Sequence, residues 1–255
     1  MTNIRPLALY ADGKQVAVEN RIRVQGKSCM TLIPDVSYVD VYNLTNEDLE
    51  TIRRAEIITA SGVDGSILSY GELEEVYTTS DDANDITTLV IVDGKKLRES
   101  SVYQTIGAGA TVRNTLQTIL GGSVFGAYLA SEVRFPRGQT LTGKLLPIVR
   151  DLAKTAKARA FISHGQVHVV PKGGTTREIT IPDREIEDVP EYANGVCILR
   201  TSVKGYAIGT MVIVEGKKYR LASQAVDADN YEGLWQSELM LVDETELSAD
   251  GMEGG

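Results

Sequence analysis

Between Val36 and Leu44 the chain reads VSYVDVYNL, with Val39 and Val41 on one side of an alternation and Tyr38, Asp40 and Tyr42 on the other. Side chains of an extended chain point to opposite faces with a period of two, so this stretch is a half-buried strand. The period then changes at TNEDLETIRRA. Thr45 or Asn46 can cap a short helix, with Glu47, Asp48 and Glu50 in its first turn and Arg53 and Arg54 in its last, the charge order a helix dipole favours. AEIITASG and SILSYGELEEVYTT return to strand, DDAND (including Asp81 and Asp82) breaks the chain, and ITTLVIVDG is a short apolar strand of the kind buried on both faces. Sequential antiparallel strands closing into a small barrel or sandwich fit this order.

The middle of the chain has a helical period. TVRNTLQTIL sets Val112, Leu116, Ile119 and Leu120 on one face behind Thr111 as the expected N-cap. LTGKLLPIVRDLAKTAKARA does the same with Leu145, Val149, Leu152 and Ala156, and Pro147 must sit in its first turn, where a missing N–H does least harm. GSVFGAYLASEVRFPRGQT between them is a loop-rich connection with some strand character. Beyond it come AFISHGQVHVV, a hairpin around His164-Gly165, then KGGTTREITI, GVCILR, a hairpin at Glu215-Gly216-Lys217, a longer polar turn at 227–233 and the strand GLWQSELMLVD. Two β-rich parts flanking a helical connector are expected, with boundaries at residues 1–105, 106–158 and 159–243, and an acidic flexible tail at 244–255.

With 255 residues, 42% of them hydrophobic, the chain can bury the core of one or two domains. No apolar run is long enough to cross a bilayer, and MTNIRPLALYADG lacks the basic and apolar regions of a secretory signal, so a soluble, unexported chain is expected. The net charge of −9 argues against tight binding to DNA or to an anionic membrane. Acid is concentrated at the end: DETELSADGMEGG carries Asp243, Glu244, Glu246, Asp250 and Glu253 and no basic residue.

Chemistry is hard to place anywhere. The run TIGAGATVRNTLQTILGG has Gly107 and Gly109, but Val112 stands where a dinucleotide loop needs its third glycine, and no alternation of strands and helices surrounds it. The Gly-Lys-Ser/Thr ending of a P-loop is absent too, so the run reads as a flexible entry to a capped helix. Cys29 and Cys197 are far apart and read as reduced buried thiols; His164 and His168 lie four apart, with no third ligand nearby for a metal. Glu72, Glu74 and Glu75 on an alternating strand read as a solvated face, and Trp235 and the scattered tyrosines as core or interface anchors. No catalytic, cofactor-binding or metal-binding residue is assigned, and no cofactor is expected.

In their order along the chain, these segments resemble the baseplate hub proteins of phage tails and related injection machines, the late control or tail protein D family. DVYNLTNEDLETIRRAEIITASG is similar to the family's strand, short helix and strand ending in glycine. DITTLVIVDGKKL is similar to the strand and Asp-Gly turn that close its first barrel, and SVYQTIGAGATVRNTLQTIL to its approach to a capped helix. LPIVRDLAKTAKARAFISHGQVHVVPKGG matches its helix and hairpin. VKGYAIGTMVIVEGKKYRLASQAVDADNYEGLWQSELMLVD looks like its end, where a Gly-x-Trp strand follows a polar turn.

The resemblance implies a mainly β fold with α insertions, two tube-like β-barrel domains joined by the helical connector, and a homotrimer. It implies a non-enzymatic hub that adapts a sixfold tail tube to a threefold central spike in a virion tail baseplate, assembled in the host cytoplasm. Its expected partners are itself, the tail tube or tube-initiator protein, the spike and the tape measure protein, with DNA passing through unbound. A hexameric tube or tube-initiator protein is the alternative within the same class, and one barrel instead of two would favour it. A nucleotide-binding enzyme through Gly107–Thr111 is the alternative from another class.

Overall fold

The computed structural model describes residues 6–62, 64–80, 83–121, 133–171, 177–231 and 234–243. Asp81 and Asp82, the middle of the expected connector and the acidic tail from Glu244 onward lie outside them.

The first β part holds β1 (Ala8–Ala11), β2 (Lys14–Val16), β3 (Ile22–Cys29), β4 (Val36–Tyr42), α1 (Asn46–Arg54), β5 (Ile58–Ser61), β6 (Ile67–Ser80) and β7 (Asp85–Val92). Next come α2 (Lys95–Glu99), β8 (Ser101–Ile106), α3 (Val112–Leu120), β9 (Gln139–Lys144), α4 (Leu145–Thr155), β10 (Ala158–Ser163) and β11 (Gln166–Pro171). The chain ends with β12 (Glu178–Thr180), β13 (Glu191–Ala193), β14 (Val196–Ser202), β15 (Met211–Val214), β16 (Lys217–Asp229) and β17 (Trp235–Val242).

The protein is mainly β, and among the described residues the strands form no closed barrel. Thirteen of them make one open sheet in the order β13-β14-β17-β16-β3-β4-β7-β6-β5-β1-β2, with β15 on the near end of β16 and β12 beside β15. The early and late β parts, expected as separate domains, therefore share a sheet. Their joint is the antiparallel pair β3–β16, in which Gly26 lies opposite Val226. Gly26 is required by its other neighbour: a Cβ there would stand 2.6 Å from the Ser37 hydroxyl on β4. Leu9, Ile22, Val24, Val39, Val41, Ile58, Leu89, Ile91 and Ala228 fill the core under this sheet, with Ile52 of α1 among them. Thr45, one of the two caps the sequence offers, caps α1 by accepting from the Asp48 N–H.

The chain divides into two compact units whose limits differ from the serial boundaries expected at 105 and 158. One gathers Met1–Cys29, Asp35–Val92 and Arg177–Gly255; the other gathers Met30–Pro34 and Asp93–Thr176. The β10–β11 hairpin, expected in the last β part, belongs with the helices. Val167 and Val169 of β11 are buried with Val112, Leu116 and Leu120 of α3 and Leu145, Val149 and Leu152 of α4. Apolar residues on every second position of a hairpin need a cover, and the helix stripes supply it. A second difference lies at 227–233, expected as a turn: Asp227–Asp229 continue β16. Among the described residues, no helix is long and apolar enough to cross a membrane.

Candidate assembly surface

The chemistry-bearing residues singled out in the sequence do not converge. Gly107 and Gly109 enter α3 through a turn: Gly109 has φ +82°, and its N–H donates to the Phe135 carbonyl. The Thr111 hydroxyl accepts from the Asn114 N–H, and the Val112 N–H donates to the Val133 carbonyl. The N–H groups of Gly109, Val112 and Asn114, three of those at this helix entry, are thus engaged within the protein.

His164 occupies the turn of the β10–β11 hairpin with φ +51° instead of sharing a strand face with His168. The Asp93 carboxylate holds that turn, accepting from the N–H groups of His164 at 2.7 Å and Gly165 at 2.6 Å. His168 stacks on Phe161 with ring centroids 5.1 Å apart. Burial pushes both imidazole pKa values down, and the proximity of His168 lowers that of His164 further. Among the described residues, no group of three or more His, Cys, Asp or Glu side chains is placed to hold a metal ion. Cys197 is buried and Cys29 half-buried, both as free thiols that burial pushes up.

What the fold does build is a broad outer face on the sheet. Reading the registers across β17, β16, β3, β4 and β7, Gln236, Asp227, Gln25, Tyr38 and Val90 stand in one row. Asp229, Arg23, Asp40 and Thr88 stand in the next. The alternation seen in VSYVDVYNL is thereby carried across five strands, core on one side and this surface on the other. Most of its charges are paired, with Lys27, opposite Ala225 on the same face, exposed outside these pairs. Arg23 donates to both oxygens of Asp227 at 3.2 and 3.0 Å, and Gln25 joins the same carboxylate at 2.9 Å. Arg21 forks onto Asp229 at 2.7 Å while its guanidinium stacks 4.6 Å over the Tyr42 ring. Thr88 donates to Asp40 at 2.7 Å, and Arg200 on β14 is shared by Glu238, Glu191 and Asp188. The hydrogen bonds Arg23 donates to Asp227 raise its pKa further, and the one Arg200 donates to Glu238 does the same there, so these cations stay charged and committed to carboxylates. The sequence separates these partners widely (Arg23 from Asp227 by 204 positions), so only the sheet order reveals them.

The second element of the surface is its unclosed rim. At one end of the sheet, β13 pairs only with β14 among the described residues; toward the other, β6 pairs with β5 at Ile67–Gly71 and with β7 from Glu72 through Ser80. Residues 76–80 of β6 have no strand on the side away from β7 among the described residues. Tyr77 at 44% and Tyr192 at 50% relative exposure mark the two rims as places where aromatic surface meets solvent.

The chain matches no protein-family model and no curated protein sequence. Solved structures do share its fold. The 43 kDa tail protein of prophage MuSo2 from Shewanella oneidensis aligns with a TM-score of 0.66 at 9% identity, over 95% of this chain and 99% of that one. A tail protein from Neisseria meningitidis MC58 aligns at 0.65 with 11% identity, over 94% and 97%. The E. coli c3393 protein aligns at 0.60 with 11% identity, over 94% and 77%; it is a component of the type VI secretion system with structural similarity to the T4 bacteriophage tail proteins gp27 and gp5. At these identities the likeness shows the fold, and the fold is that of phage tail proteins.

Proposed function

We propose that this chain is a structural component of a phage-type tail, the hub of its baseplate, and that three copies form a ring around a passage. The observation that carries the reading is the open sheet that joins both ends of the chain through β3 and β16. Each copy supplies a curved wall segment with a core on one side and a polar, internally paired surface on the other. Closure into a tube, expected from the sequence within each chain, is then completed between copies, because closing a sheet removes its edges. The two halves of the wall make each copy a double unit, so three copies present six similar segments to a sixfold tail tube and three to a central spike.

The outer face supports passage of a polyanion. Arg21, Arg23 and Arg200 are engaged by carboxylates and Lys27 alone of the cations named on this face stands outside such a pair, so the surface offers mainly paired charge and net acid to a sliding phosphate backbone. The remaining partners of the reading are the tail tube or its initiator, the spike and a tape measure protein, with the virion tail as location. No step of it needs a catalytic residue.

The test is the mass of the purified protein in solution. The reading expects a species of three 27.7 kDa chains at micromolar concentration. A species that stays at one chain in both isolated protein and assembled tails overturns it, and one of six chains favours the tube-initiator alternative.

A further inference from the structure

The path β13-β14-β17-β16-β3-β4-β7-β6 contains eight strands, and every neighbouring pair in it is antiparallel. Because the number is even, the two end strands run in opposite directions. A second copy placed beside the first, continuing the sheet, sets its β13 antiparallel to the first copy's β6 with no break in alternation. The rims suit this differently. Strands β13 and β2 are three residues long, and Pro190 immediately precedes β13, whereas β6 carries Val76-Tyr77-Thr78-Thr79-Ser80, uncharged and rich in strand-forming residues. Such an edge is a template for another strand unless something covers it.

We propose that a second copy of this chain covers it: the β13 edge of one copy pairs with residues 76–80 of the next, Tyr192 opposite Thr78. This rests on the ring reading above and names the residues that close the ring. Three features of the fold fix the pairing. Ala193 and Val196 flank the two-residue turn Asn194-Gly195 (φ +49° and +75°) and bond to each other, so Tyr192 turns its backbone N–H and C=O away from β14. Pro190, with no N–H, limits the docking stretch to Glu191–Ala193. The pleat fixes the parity. Tyr192 lies opposite Cys197 on the core side, and Thr78 lies opposite Thr87 and, beyond it, Val41 on that same side. Tyr192 must therefore meet an even-numbered residue of β6, and Thr78 is the central one. Glu191 then falls opposite Thr79 and Ala193 opposite Tyr77 on the polar face, in the closely spaced pairs that lack mutual hydrogen bonds.

A cross-link between these rims that joins different copies raises the mass to two and three chains under denaturing conditions, whereas one within a chain leaves it at one. In a Cys29→Ser background, the double variant Thr79→Cys/Glu191→Cys should oxidise to a ladder ending at three chains. The parity control Thr78→Cys/Glu191→Cys should give at least tenfold less product. Amide exchange gives a second readout on the unaltered protein: the Tyr192 N–H should be protected in the ring and exchange freely in chains separated by dilution. A three-chain ring with no Thr79–Glu191 cross-link and a freely exchanging Tyr192 amide overturns the edge assignment and leaves the ring reading standing. A chain that is monomeric at every concentration removes both.

Discussion

The two compact units are built from different distances in sequence. In the helical unit, Asp93 meets His164 and α3 packs beside α4 and the hairpin that follows it, nearly all within residues 93–171. In the sheet unit, Arg21 and Arg23 find their carboxylates at Asp229 and Asp227, more than 200 positions away. Joining such distant segments costs loop-closure entropy that grows slowly with length, but it must be offset by contacts that form only when the whole sheet is assembled. The sheet unit is therefore the all-or-none part, with its stability concentrated at the seams between early and late segments. The helical unit rests on local caps and stripes, each adding its own increment.

The sharpest way to break that contrast is Gly205→Ala. A Cβ on Gly205, in the loop after β14, would stand 1.9 Å from the Ile67 carbonyl oxygen at the start of β6, and the Gly205 N–H donates to Ser66. Overpacking against backbone at a seam should cost about 3 kcal/mol or more, read as a drop in the denaturant midpoint together with faster amide exchange in both β3 and β16. An unchanged midpoint would show that the seam yields locally.

Asp229→Ala comes next. It strips the Arg21 guanidinium of its forked partner, the carboxylate being only 4% exposed and the arginine 32%. Discounted for that exposure of Arg21, the loss should be about 2 kcal/mol, confined to the sheet unit. In the helical unit, Thr111→Ala removes the hydroxyl that accepts from Asn114 and should cost about 1 kcal/mol, with faster exchange in α3 and none in the β3–β16 pair.

The smallest effect is one of pH. The imidazoles of His164 and His168 have pKa values lowered by burial, so the fold holds them neutral while the unfolded chain takes up protons near its ordinary value of ~6.5. Stability from this source is full above ~6.5 and is lost as pH falls below it toward the lowered values. The difference in melting temperature between pH 7 and pH 5 should shrink in the His164→Gln/His168→Gln variant. An identical pH dependence in both proteins would assign the loss to carboxylates alone.

How much of this was legible in the sequence follows the same division. Local signals suffice wherever the physics is local: the Thr111 cap, one of the two caps offered at Thr45 and Asn46, the strand expected over Val36–Leu44 and found at Val36–Tyr42, the hairpins at His164-Gly165 and Glu215-Gly216, and the buried stripe of α4. Asp227–Asp229 looked like a turn because three polar or small residues in a row imitate one. They extend β16 because Arg21 and Arg23, far off in sequence, neutralise them. The β10–β11 hairpin was placed by chain order, and its alternating valines could not announce that helices, not another sheet, would cover them. The outer face was half visible, since Tyr38, Asp40 and Tyr42 were expected on one side of their strand. Its extension across neighbouring strands is a property of sheet order, which alternation within single strands does not encode.

Direct imaging of the purified assembly by electron microscopy puts the central claim at most risk. The account predicts a threefold ring whose passage is lined by the Arg23–Asp227 face, with β13 of each copy against residues 76–80 of the next. A ring lined instead by the face bearing Val39 and Leu89, or an isolated chain with both rims in solvent, would contradict it.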